Sequence, residues 1–202
     1  FAENFYLLRA TPSSLWLEHS FQEVLGIDET LCAKNATEIY DHIDACLKDD
    51  NFRPRALFDK FNIEALATTE MALDDLRHHQ SITESDWNGH VISTYRPDNV
   101  IDPDFKNFTE NVMKFGEVTG EDTGDWRGYL KAHRSRRLYF KQIGGATASD
   151  HGHPTARTEN LSTEQADELF QKALKGSNTP EEADAFRGQM LTEMARMSLD
   201  DG

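Results

Sequence analysis

The 202-residue chain carries 36 Asp and Glu against 21 Lys and Arg, a net charge of −15, which excludes the basic footprint of a nucleic-acid binder and disfavours anionic membrane surfaces. Anionic small molecules stay open, because a few local arginines suffice to hold one. Twelve Phe, three Trp and five Tyr exclude a largely disordered chain, no run nears the roughly 20 apolar residues of a membrane span, and two cysteines make no disulfide framework, so the cytoplasm is the expected compartment.

The opening, FAENFYLLRA, has no basic head, no cleavage pattern and no initiator Met, so the chain reads as cut from the interior of something longer. Residues 13–27 place Leu15, Trp16, His19, Phe21, Val24 and Leu25 in a helical rhythm that Gly26 ends. Residues 35–50 repeat the pattern with Ile39, Tyr40, Ile43, Cys46 and Leu47, and RPRALFDKF adds a short third helix. We assign residues 1–60 to an N-terminal helical insertion or cap.

Beyond that the rhythm changes. NIEALATT (62–69) reads as a strand, ALDDLRHHQS (72–81) as a helix, and HVISTYRPD (90–98) as a second strand that Pro97 stops. Two helices follow, in DFKNFTENVMKFGEV and DWRGYLKAHRSRRLYFKQI, and ATASDHG reads as a third strand. Strand–helix alternation means parallel strands with crossovers. The tail is a helical hairpin. Its first helix opens with a Ser162/Gln165 capping box, and its second has Thr179 as cap, Pro180 in the first turn and Glu182 as box partner. Phe186, Met190, Leu191, Met194 and Met197 form a stripe whose spacing predicts core rather than a partner groove. Three strands cannot close a barrel. They make either a small open sheet or three consecutive staves of a larger barrel, and the missing Met and the ending LDDG favour the staves. The fold class is therefore α/β and helix-rich, with residues 61–202 as a partial (β/α) barrel segment.

Ligands of parallel α/β folds bind at the carboxyl ends of the strands. All three expected strands end in polar residues: Thr68-Thr69-Glu70, Tyr95-Arg96-Pro97-Asp98 and Ser149-Asp150-His151-Gly152. Strand alternation puts Ile92, Thr94 and Arg96 on one face and Val91, Ser93 and Tyr95 on the other. A guanidinium in Arg96's place either grips a carboxylate or phosphate bidentately or pairs with a loop acid such as Asp98. His151 is a ligand, an acid/base group or a hydrogen-bonded strut. His153 precedes Pro154 and is placed in a loop. Gly152 and Pro154 argue against a continuing strand on which His151 and His153 would share an ion. His42 and Cys46 have a metal-capable i, i+4 spacing with no second pair beside it. His78 and His79 diverge on their helix. KAHRSRR (131–137) reads as a solvated helix face, with anion binding as the alternative, and Glu70 is an unsupported candidate base. The sequence has neither a phosphate-binding glycine loop nor a nucleophile elbow.

Taken together, TTE, DDLRHH, STYRPD and SDHG, in that order and spacing, resemble the uronate isomerase family of the amidohydrolase superfamily, whose pattern is Thr-Thr-Asp, His-His, Arg-Pro-Asp and Ser-Asp-His. The flanking helices are similar as well, so the resemblance covers nearly the whole chain. It implies part of a TIM (β/α)₈ barrel, about strands two to four, of an aldose–ketose isomerase. The implied reactions convert glucuronate to fructuronate and galacturonate to tagaturonate by proton transfer between C2 and C1. It also implies a divalent metal, zinc, with ligands on a first-strand His-x-His and a last-strand Asp outside this segment. The implied partner is a small uronate sugar, with a homo-oligomer left open. By the same resemblance Arg96 contacts the substrate carboxylate and His151 lies at the substrate site. Glu70 departs from the family's Asp, which puts any role at that position in doubt. The catalytic base is unassigned, no metal ligand is assigned within the segment, and the segment alone is expected neither to turn over nor to hold zinc tightly. A metal-dependent hydrolase of the same superfamily and a non-enzymatic helical interaction module are the alternatives. A hydrolase would need more strand histidines, and an interaction module would not need polar residues at every strand end.

Overall fold

The structure, a computed structural model, describes residues 1–201. They form two units, Phe1–Ile63 and the remainder from Glu64.

In the first unit a 3₁₀ turn (Ala2–Leu8) leads to α1 (Pro12–His19), where Thr11 Oγ1 accepts the Ser14 N–H at 3.3 Å. The continuous helix expected over 13–27 instead passes into one π turn, Ser20–Val24, before Gly26 reverses the chain at φ +68. Helices α2 (Ala36–Lys48) and α3 (Pro54–Lys60) complete it. Phe5, Ile27, Leu31 and Ile39 make a small core with Leu17, Phe21 and Ile43 against it. Leu15 and Trp16, read as part of the helical rhythm, are exposed.

The second unit holds the sheet. Strands β1 (Leu66–Met71) and β2 (Val91–Arg96) pair in parallel from Leu66↔Val91 to Met71↔Arg96, with α4 (Arg77–Thr83) in the crossover. Helix α4 starts later than the expected residue 72. Asp74 accepts the Leu76 N–H at 2.7 Å and Asp75 the Arg77 N–H at 3.1 Å, and these two turns postpone the helix. The expected third strand is reduced to a single parallel bridge between Tyr95 and Ser149. Its hydrogen bonds run from the Tyr95 N–H to the Ala148 carbonyl at 3.2 Å and from the Asp150 N–H to the Tyr95 carbonyl at 3.0 Å. The Gly152 N–H then turns to Asp98, which takes the chain out of the ladder. Among the described residues the sheet therefore has two strands where three were expected.

After β2 come α5 (Asp98–Ile101), a single turn the sequence reading did not separate, then α6 (Phe108–Thr119) and α7 (Trp126–Gly144). The hairpin of α8 (Thr163–Leu174) and α9 (Pro180–Asp201) has both expected caps: Ser162 with Gln165, and Thr179 with Glu182 at 2.9 and 3.2 Å. Phe186, Met190, Met194 and Met197 are buried, so the methionine stripe is core. Aromatic packing continues through Tyr129 and Phe170, stacked at 4.4 Å between ring centres.

KAHRSRR is not simply a solvated face. His133 is fully buried, with Nδ1 3.0 Å from the Tyr95 hydroxyl. Arg136 is buried and donates to the carbonyls of Ala72, at 2.6 Å, and Asp74. Arg134 and Arg137 reach Asp200 and Asp201 at 2.8 and 2.7 Å. The cations hold α7 against its neighbours: Arg136 caps otherwise orphaned carbonyls, and the other two tie down the end of α9.

Candidate functional site

Strand alternation decides what each strand end offers. Tyr95 and Ser93 point into the helical core and are buried, so Arg96 faces the other side of the sheet. Ser149 pairs with Tyr95, which puts Asp150, one residue on, beside Arg96. Arg96 NH1 lies 3.4 Å from Asp150 Oδ2, while Arg96 Nε donates to Asp98 Oδ2 at 2.7 Å. The ion pair with Asp98 is thus present. It uses the Nε edge of the guanidinium; NH1 lies toward the more open carboxylate, Asp150, whose side chain is 45% exposed against 13% for Asp98, and NH2 lies against Gly152. The hydrogen bond to Asp98, then the charges of Asp98 and Asp150, hold the Arg96 pKa above its ordinary value.

The Gly152 N–H donates to both Asp98 oxygens, at 3.0 and 3.1 Å. A Cβ at residue 152 would sit 2.5 Å from Asp98 Oδ2 and 2.8 Å from Arg96 NH2, so any side chain there would displace that carboxylate and guanidinium from their present positions. His151 lies on the other side from Asp150. Its Nε2 is 3.1 Å from Ser149 Oγ, and its Nδ1 is buried with no partner in the protein. His153, placed in a loop by sequence, comes back to within 5.7 Å of the His151 ring. Asp98, His151 and His153 are the one group among the described residues with ligand atoms close enough for a shared metal ion. Burial lowers the pKa of both histidines: His153 adds to the shift at His151, and Asp98 opposes it at both.

The structure keeps the other candidates apart. Glu70 shares the helix-facing side with Thr68. Its carboxylate lies 3.7 Å from His79 Nε2, which is 2.8 Å from Thr68 Oγ1. This buried polar cluster fixes α4 behind β1, away from Arg96, and leaves Glu70 no reach to that side. His42 Nε2 is 2.8 Å from the Leu25 carbonyl and 3.5 Å from Cys46 Sγ, a local tie with no further ligand beside it. His78 meets only its neighbour Arg77. Sequence reasoning assigned no role to Asp150 and treated Asp98 only as an ion-pair alternative. The Arg-x-Asp spacing at residues 96–98 and the glycine at 152 were the signals available.

A helix-rich α/β chain with parallel strands, carrying an arginine between two carboxylates at the strand ends, has the build of the α/β proteins that bind small anionic ligands there. The model of the glucuronate isomerase family matches residues 1–202, and the chain belongs to that family. It is 56% identical over 202 residues to the uronate isomerase of Mesorhizobium japonicum, covering all of this chain and 43% of that protein. With the uronate isomerase of Caulobacter vibrioides it is 55% identical, covering 41% of that protein. Among solved structures it matches the glucuronate isomerase from Caulobacter crescentus with a TM-score of 0.94 at 55% identity, over all of this chain and 42% of that one. The Thermotoga maritima uronate isomerase matches at 0.90 and 25% identity, over 99% of this chain and 44% of that one. The chain therefore spans about two-fifths of the length of the relatives it matches.

Proposed function

We propose that the protein is a uronate isomerase, converting glucuronate to fructuronate, and galacturonate to tagaturonate, by moving a proton between C2 and C1. In this reading the chain supplies consecutive staves of a (β/α)₈ barrel, with the strand ends around Arg96 opening on the substrate. The observation that carries it is the geometry of Arg96 in a chain of this family: a part-exposed guanidinium anchored through Nε by Asp98, with NH1 toward the open carboxylate of Asp150. An anchored fork is the right grip for the planar carboxylate of an open-chain uronate.

Asp150 is the carboxylate that shares this face, and in this reading it is the group that accepts or returns a proton near the bound sugar. His151, held to Ser149 Oγ at 3.1 Å, in this reading fixes the 149–153 segment at the edge of the substrate site. A divalent metal, when bound, polarises the reacting oxygens and makes the carbon-bound proton easier to remove. In this reading the ligands of that metal are the first-strand His-x-His and last-strand Asp of the family pattern, and the Arg96 face is assigned none of them.

The test is Arg96→Ala in the complete protein. The KM for glucuronate should rise and kcat/KM should fall at least about 10-fold, a modest value for a charge-assisted contact. Unchanged kinetics would remove Arg96 from the site.

A further inference from the structure

At the end of β2 three groups converge. Asp98 opens α5, and His151 and His153 flank Gly152. One ligand atom from each lies within 4.8 Å of the other two. His151 Nδ1 and both ring nitrogens of His153 are buried without a well-formed hydrogen bond to protein, although the Arg187 main chain lies near His153. Buried polar atoms left unpaired destabilise a fold, and three of them in two neighbouring rings facing one carboxylate call for a common partner.

We propose that Asp98, His151 and His153 form a site for a divalent cation of the zinc type, on residues apart from the first-strand and last-strand ligands that the family resemblance implies. Two imidazoles and one carboxylate suit zinc or a similar first-row ion, whereas calcium and magnesium take sets of oxygens. The outer contacts are those of a metal site. Ser149 Oγ occupies His151 Nε2 at 3.1 Å, which leaves Nδ1 as the ligating nitrogen. Arg96 Nε and the Gly152 N–H orient the Asp98 carboxylate, and a carboxylate with about four acceptor positions can ligate a cation without giving up those bonds. Burial lowers the pKa of both imidazoles, which favours the neutral form that binds metal. The cation would clamp residues 151–153 to the start of α5 and, through Asp98, hold Arg96 in place. Sequence reading assigned no metal ligand to this segment because Gly152 and Pro154 break the strand. The structure brings the two rings together through a turn instead.

The proposal does not rest on the isomerase reading, and its test does not read activity. The complete protein, stripped of metal and reloaded with zinc, is compared with its His153→Ala and His151→Ala variants by elemental analysis. Each variant should hold one equivalent less per protomer, and its affinity for that equivalent should fall roughly 100-fold or more, the scale at which metal-site substitutions act. Zinc bound elsewhere is common to all three proteins, so the difference isolates this site. Equal zinc content in all three would overturn the proposal. If a variant does not fold, carbethoxylation of His153 in the unaltered protein, followed by mass spectrometry, decides. Zinc should slow it at least about 10-fold, and equal rates with and without zinc would sink the idea.

Discussion

Asp98 is the residue on which the site turns. It accepts from Arg96 Nε and from the Gly152 N–H, so it joins the end of β2 to the segment after the Ser149 bridge. Asp98→Asn keeps the shape but removes the charge that orients the guanidinium. We expect kcat/KM for glucuronate to drop about 10-fold in the complete protein, with most of the loss in KM. An effect as small as that of an exposed surface substitution would show that Arg96 orients itself. Asp150→Asn is expected to act differently, lowering kcat by about 10²-fold or more with KM little changed, as the loss of a proton-transferring carboxylate does. Steady-state kinetics on both variants separates grip from chemistry. At this scale the sequence was legible in part. Arg96 stood out because a guanidinium at a strand's last position either grips an anion or pairs with a loop acid, and the pair with Asp98 is present. Asp150 did not, because its neighbour relationship to Arg96 runs through a bridge between residues 54 apart in sequence, and no local spacing announces that.

Among the elements, those that specify themselves locally were legible. The α8–α9 hairpin follows from two capping boxes and an apolar stripe of helical period, and it forms where expected. Ser162→Ala should cost about 1 kcal/mol, the usual value of an N-cap hydroxyl, and Met194→Ala, in a fully packed position, about 2–5 kcal/mol. Denaturant midpoints of the two variants check the order, which should place Met194 well above Ser162. Elements that depend on partners were not legible. The residues of ATASDHG have strand character, yet a strand exists only where a ladder continues, and here the Gly152 N–H leaves the ladder for Asp98. The late start of α4 has the same kind of cause, since two aspartates bond their own backbone before the helix can begin. Basic residues on a helix were read as solvated because periodicity cannot see that Arg136 finds carbonyls of the β1–α4 connection at close range.

Across the molecule, stability and pH are tied through α7. His133 is buried against Tyr95 and Phe115, and burial, aided by the Arg137 charge, pushes its pKa down to about 3. An unfolded histidine titrates near 6.5. Above that pH both states are neutral and His133 adds no pH dependence. Below it the unfolded chain takes up a proton that the native state refuses, so stability falls as pH drops toward 3. Between pH 6.5 and 5, before most carboxylates titrate, the loss attributable to this group is about 2 kcal/mol. Urea unfolding at several pH values should show it, and His133→Gln, which can still pair with the Tyr95 hydroxyl, should flatten that part of the profile. A profile equally steep in the variant would assign the slope to other groups.

Gly152 is exposed, and by the usual rule an exposed residue outside regular structure tolerates almost any replacement. The space around it says otherwise, since even a methyl group would press on both Asp98 and Arg96. On the isomerase reading, a saturation library of the complete gene, selected for growth on glucuronate as carbon source, should therefore enrich glycine at 152, while exposed Thr155 and Ala156 three and four codons later drift freely. Accessibility would rank the three positions alike. Selection would not.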